Sequence, residues 1–345
     1  MIVGSGQFRY RVGAEWAKLP DGWSFKEVGG VGVDRHDNVY VFNRGEHPMI
    51  IFDREGNFLQ SWGEGQYPRP HGVHMAPDDT MFLTDDGGHF VRKVTMDGKI
   101  LLELGVPGKP APFMSGEPFH RCTHTALSPR GEIYISDGYG NARVHKYSPD
   151  GKIADVVGRT RNRRGRVQHC PQHLLRRRRL GLCRGSREPS GPGLRRQRQI
   201  RDAVEKPAPP CGLYMPYGHQ PICYIGEVGP AAAVSRNIPN LGPRVSIVDH
   251  TGKLIGRFGD TPAGTELGKF LAPHGLAVDS RGDIYVGEVS WTAWPQIYPG
   301  KPHPANLRSL QKFEKGRMKH ADSRPGPKSR PFRHGVRWGR SWRIG

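Results

Sequence analysis

Residues 69–105 form a unit that the chain repeats, and this repetition constrains the fold of the 345 residues more than any other feature. The unit opens on Pro70, His71 and Gly72, runs through the alternating segment MFLTD at 81–85, crosses a Gly-rich turn, returns as VRKVTMDGK and leaves as ILLELG. Each piece reads as a short strand bounded by turn residues. The same order recurs at 30–63, 122–153 and 273–288, and more loosely at 211–259. Register is kept as well: His71 precedes Asp85 by fourteen residues, and His274 precedes Glu288 by the same interval. A four-stranded sheet repeated every ~40–50 residues cannot bury both its faces alone, so the units must stack around a ring as the blades of a β-propeller. Helical alternatives fail, because no long stretch places apolar residues at helical spacing and 47 Gly and 31 Pro punctuate the chain.

One propeller accounts for 1–313 as a single all-β domain, which leaves 314–345 as a basic tail expected to be disordered. Residues 6–27 carry Phe8, Tyr10, Trp16, Trp23 and Phe25, and are expected to supply an outer strand before the first blade. Closing the ring with a strand from the other terminus removes a sheet edge. The formal charge of +20 would suggest a nucleic acid or an acidic membrane as partner. Its distribution argues otherwise. Segment 157–210 has sixteen Lys or Arg against three acids, and 312–345 has eleven against two, so the repeats themselves are close to neutral. No Phe, Tyr or Trp interleaves the first block, so no specific nucleic-acid binding is expected. No apolar run is long enough for a signal peptide or a membrane span, and a cytoplasmic monomer is the expectation, although a start codon chosen too late would hide an export signal. Five cysteines are scattered without a CxxC pair.

Blade four is missing where the repeat requires it. Segment 157–210 holds fifteen arginines and no alternation, which reads either as a disordered basic insertion, as a nucleic-acid-binding arm, or as a frame slip. The genetic code favours the slip. Residues 176–180 can be written CGA CGC CGA CGG CTG, and one base later this reads DADGW once a G follows. The offset frame continues as VYVADRENHRVQVFD and restores a blade. Its histidine codon straddles Pro171 and Gln172, fourteen residues before an aspartate codon that straddles Gly185 and Ser186, the spacing of the blades at His71 and His274.

Pro-His-Gly at the start of an inner strand places the imidazole at the rim of the central channel. His71 and His274 converge there, and the restored frame adds a third. Three neutral imidazoles with one open position are the arrangement of a catalytic zinc site. The alternative is a recurrent histidine of the repeat, hydrogen-bonded across the channel. His74, His89, His124 and His145 read as surface or packing residues.

With these motifs, together with SDGYGNAR at 136–143 and NRGEH at 43–47, the chain resembles the six-bladed NHL-repeat propellers, and among them the peptidyl-α-hydroxyglycine α-amidating lyases. The resemblance implies a channel zinc held by His71 and His274, a catalytic Tyr139, and an active-site arginine at Arg44. It implies cleavage of a C–N bond in a small peptide ending in α-hydroxyglycine, giving an amide and glyoxylate, with activity impaired by the disrupted blade. In that reading Tyr139, its pKa lowered by metal and by Arg44, accepts the hydroxyl proton, while Arg44 holds the substrate carboxylate or the developing charge. An ion pair of Arg44 with Glu46 is the competing reading, as is a merely packing role for Tyr139. Gly275 stands where the family has Asp, which puts a nearby calcium site in doubt. The family also pairs two cysteines around this turn; Cys122 fits one and Gly140 replaces the other. Two other classes remain open, a non-catalytic propeller binding a peptide or protein, and a lactonase-like metal hydrolase.

Overall fold

The computed structural model describes residues 1–13, 15–157, 210–216, 222–236, 238, 241–259 and 262–316. Antiparallel four-stranded sheets arise wherever the repeat was read. The first comprises β3 (Val28–Val33), β4 (Val39–Asn43), β5 (Met49–Phe52) and β6 (Phe58–Trp62). The second comprises β7 (Pro70–Met75), β8 (Thr80–Asp85), β9 (Phe90–Thr95) and β10 (Ile100–Gly105). The third comprises β11 (His124–Leu127), β12 (Ile133–Asp137), β13 (Arg143–Tyr147) and β14 (Ile153–Val157). The fourth comprises β15 (Pro210–Tyr214), β16 (Cys223–Glu227), β17 (Arg244–Val248) and β18 (Leu254–Phe258).

The fifth sheet closes the ring with both ends of the chain. β19 (Pro273–Val278), β20 (Ile284–Glu288) and β21 (Leu310–Lys315) pair in order, and β2 (Phe8–Gly13) then pairs with β21. β1 (Ile2–Ser5) adds a further outer strand in a hairpin with β2. The expected outer strand is thus β2 alone. Trp16, Trp23 and Phe25 lie beyond it and pack on Phe52 and Phe58 of the first sheet. β21 runs to Lys315, two residues past the boundary expected at Phe313, because Arg11 pairs with Glu314 across the β2–β21 ladder. A short helix, α1 (Ser290–Ile297), leaves β20.

The sheets are the blades of a propeller, and the expectation of six blades is corrected to five sheets among the described residues. Of the segment assigned to the fourth blade, the described residues are Val157, in β14, and Pro210, in β15. Its written sequence carries no alternation of apolar and polar residues. The rest of that segment, with the frame slip read into it, lies outside the described residues, as do residues 317–345 of the tail.

Two local devices recur in the sheets. Hairpins close on one turn, in which the residue three beyond the first donates back to it and the first donates to the residue four beyond, as in Asp53–Asn57, Ser148–Lys152 and Asp279–Asp283. The turn needs a left-handed residue at its fourth position, and Gly56, Gly151 and Gly282 supply φ near +85°. The second device is a polar residue ending the second strand of a sheet. Asp85, Asp137 and Glu288 turn back to accept backbone N–H groups from Arg69, His120 and Leu271 on the segments that lead into their own inner strands. Asn43 does the same for Lys26. These carboxylates satisfy backbone donors that burial would otherwise orphan. Between sheets, apolar clusters form the core, for example Phe42, Met49 and Ile51 against Met81, Leu83 and Phe90. Among the described residues no helix is long and apolar enough to cross a membrane.

Candidate functional site

The inner strands carry a bulge at their first residues, with the ladder shifting between Pro70 and Gly72, between Pro273 and Leu276, and between Pro210 and Gly212. A bulge re-aims the residue it contains, which is His71 in β7 and His274 in β19. The two imidazoles meet edge to face with ring centroids 4.5 Å apart, and both residues are buried. Glycine follows each of them for a steric reason. A Cβ on Gly275 would stand 2.5 Å from Gly30 Cα and 2.9 Å from Gly29 O, so β19 and β3 approach backbone to backbone. A larger residue at 275 would therefore meet the Gly30 backbone.

Tyr139, from the turn after β12, reaches across to His71, with its hydroxyl 3.1 Å from Nε2. The residue is 38% exposed, yet burial dominates its ionisation. Its hydroxyl abuts His71, which is 4% exposed. Burial raises the Tyr139 pKa, and Cys211 and Asp86 add to it, while Arg44 and Arg69 pull the other way. The lowered value expected from the sequence is therefore not what the protein alone provides.

Both histidines are held neutral. Burial pushes the pKa of His71 well below its usual value, and the cations Arg44 and Arg69 push further; for His274 burial comes first, then His71 and Arg44. His274 Nδ1–H donates to Gly29 O at 2.7 Å, which fixes the tautomer and leaves Nε2 with its lone pair. His71 Nδ1 is buried and makes no well-formed hydrogen bond, although the Thr123 backbone acts weakly on it. Two neutral, pre-oriented imidazoles fit part of a zinc ligand set. Among the described residues, no three His, Cys, Asp or Glu side chains converge closely enough to complete one.

Arg44 follows β4 and is not the surface partner of Glu46. Its side chain is buried, Nη1 donates to Glu27 Oε2 at 2.9 Å, and Nε donates to Pro70 O at 2.8 Å, directly before His71. Glu27 in turn accepts from the backbone N–H and the hydroxyl of Thr292 in α1. Arg44 thus ties the first sheet to the second and, through Glu27, to α1.

Several residues at the same rim gave no reading from sequence. Arg69 Nη1 and the Nε and Nη2 of Arg121 all donate to Asp86 Oδ2, at 2.8, 3.1 and 2.7 Å, and the Arg121 guanidinium lies 4.8 Å above the Tyr139 ring. Cys211 stands at the bulge position of β15, where His71 and His274 stand in theirs, and Pro210-Cys211-Gly212 was the signal that could have revealed it. It packs with Val228, Ala272 and Ala293, and burial pushes its thiol up to about 12. Cys122, expected to sit by Gly140, instead faces the carbonyls of Asp85 and Phe90, and the group against Gly140 is the His120 ring. Below His71 the channel holds a cavity of about 350 Å³, lined among others by His74, His124, Met75, Met96 and Met215. His124 is thereby a channel residue, whereas His145 is a core residue bonded to Asp137 at 3.1 Å.

No family model matches the chain. Peptidyl-alpha-hydroxyglycine alpha-amidating lyase 1 of Drosophila melanogaster is 37% identical over 101 residues, which cover 28% of this chain and 18% of that protein. Human NHL repeat-containing protein 3 is 31% identical over 164 residues, 43% of this chain and 46% of that protein. The matches therefore span less than half the length of either relative. Among solved structures, virginiamycin B lyase from Staphylococcus aureus superposes with a TM-score of 0.42 at 12% identity, covering 76% of this chain and 78% of that one. In sequence the chain resembles the amidating lyases and the NHL-repeat propellers.

Proposed function

We propose that the chain derives from a zinc-dependent lyase that cleaves the C–N bond of a peptide ending in α-hydroxyglycine, and that it is impaired as written. The observation that carries this reading is the meeting of His71, His274 and Tyr139, from three sheets, at one rim of the channel, with Arg44 behind them. Zinc held by His71 and His274 would supply Lewis acidity toward the α-hydroxyl of the substrate. Tyr139 Oη would take the hydroxyl proton once its own has left, a loss that burial opposes and that Arg44, Arg69 and a bound metal would favour. As that proton leaves, the C–O bond becomes the carbonyl of glyoxylate, the C–N electron pair goes to nitrogen, and a proton on nitrogen completes the amide. Arg44 acts as a positioning residue in this scheme, because its two assigned donors are engaged by Glu27 and Pro70.

The finer architecture belongs to the same proposal. A sixth blade, encoded in the offset frame of 157–210, would bring the third histidine to the level of His71 and His274. Calcium draws no support from Asp85, Asp137 and Glu288, which accept backbone N–H groups, or from Asp86 Oδ2, which accepts from Arg69 and Arg121. The same engagement disfavours a lactonase-like hydrolase, which would use channel carboxylates as ligands. A non-catalytic propeller that binds a peptide or protein is the second reading, favoured by the match to NHL repeat-containing protein 3. Glyoxylate release from a peptidyl-α-hydroxyglycine, measured on the chain with its fourth blade restored, decides between them: release supports the lyase, and peptide binding without release supports the second reading.

A further inference from the structure

We propose that Arg69 and Arg121, sharing the carboxylate of Asp86 between the second and third sheets, form a binding subsite for the free carboxylate of a peptide's C-terminal residue. Asp86 is fully buried, and its Oδ2 accepts all three guanidinium hydrogen bonds. Asp86 is the one carboxylate that the two guanidinium groups share, so it does not use all of their donors, and a ligand carboxylate can take up those left over. The two arginine side chains are 35% and 39% exposed, and among the described residues Arg69 keeps Nε and Nη2 unbonded and Arg121 keeps Nη1. Guanidinium groups of this kind grip a carboxylate through paired N–H donors.

The cluster is pinned in place. Arg69 N–H donates to Asp85 Oδ2 at 2.8 Å, Asp86 N–H donates to Arg69 O at 3.2 Å, and Arg121 N–H donates to His89 Nδ1 at 3.1 Å. Arg121 is held at φ +62°, a conformation a non-glycine residue adopts only where its surroundings impose it. The cluster also adjoins the proposed reaction centre: Arg121 covers the Tyr139 ring, and the charge of Arg69 is felt by both His71 and Tyr139. Arg44, by contrast, is buried against Glu27. The carboxylate role that sequence assigned to Arg44 thus passes to the neighbouring pair. For the identity of the peptide's last residue this rests on the lyase reading; for the recognition of a carboxylate it does not.

The test uses the full chain and an unreactive probe, a fluorescein-labelled tripeptide ending in glycine, as the free acid and as the C-terminal amide. By fluorescence anisotropy the acid should bind about 10- to 100-fold more tightly than the amide, the range that charge-assisted hydrogen bonds give. Arg69→Gln and Arg121→Gln should each lower that ratio. Asp86→Asn should raise it, because it releases both guanidinium groups to the ligand, whereas a merely structural cluster would lose binding with all three changes. The triple variant, Arg69→Gln with Arg121→Gln and Asp86→Asn, leaves no unpaired buried charge and should fold yet treat acid and amide alike. A ratio unchanged by Arg69→Gln and Arg121→Gln, or lowered by Asp86→Asn, overturns the assignment. Since the probe carries no α-hydroxyl, an intact ratio in a blade-restored chain that releases no glyoxylate would count against the lyase and not against the subsite.

Discussion

Replacing Glu27 should destabilise the protein more than any surface change, and the cost follows from what Glu27 touches. Its carboxylate is 6% exposed and faces an Arg44 side chain 8% exposed, and it also accepts from the N–H and hydroxyl of Thr292. Removing one partner of a buried pair leaves the other charge uncompensated, at a cost of about 3–5 kcal/mol. Glu27→Ala further orphans the Thr292 N–H, about 1 kcal/mol more, whereas Glu27→Gln retains an acceptor. The double variant Glu27→Gln with Arg44→Met removes both charges, so its loss should fall short of the sum of the single losses by at least about 1.5 kcal/mol. Urea unfolding followed by tryptophan fluorescence measures all four states. Additivity within about 0.5 kcal/mol would refute the pairing, because uncoupled sites add to that precision.

Tyr139→Phe should leave any bound zinc in place and lower turnover of the restored chain by about 100-fold or more, the range of a lost general base; equal turnover would remove Tyr139 from the chemistry. Gly275→Asp, which installs the family's residue, should destabilise by about 1–3 kcal/mol in urea, since its Cβ meets the Gly30 backbone at 2.5 Å. Acidification tests His124, whose pKa burial lowers to about 4. Because the folded pKa lies below the unfolded one, the unfolded chain binds the proton first. Stability is fully present above about pH 6.5 and is lost progressively below it, by about 2 kcal/mol between pH 7 and pH 5. His124→Asn should remove that part of the pH dependence.

The sequence revealed what is local. Strands and turns were legible because alternation and the glycine at each left-handed turn position act over a few residues, as at Asp53–Asn57. His71 and His274 were legible because the repeat places them at one level. What could not be read depends on which blades become neighbours. Arg69, Asp86 and Arg121 meet across the second and third sheets, and within the first sheet Arg44 finds Glu27 rather than the nearer Glu46 because β3 and β4 pair side by side. The raised Tyr139 pKa likewise follows from its burial against His71, which no local pattern encodes.

Under the proposed reading, His71 and His274 would be two thirds of a zinc site that a restored fourth blade would complete. Zinc content by mass spectrometry, measured alongside glyoxylate release, tests it on the chain with residues 157–210 read in the offset frame. One zinc per folded chain, lost together with glyoxylate release on His71→Ala or His274→Ala and weak in the chain as written, is the predicted result. A folded, restored chain that takes up no zinc at stoichiometric supply would contradict it.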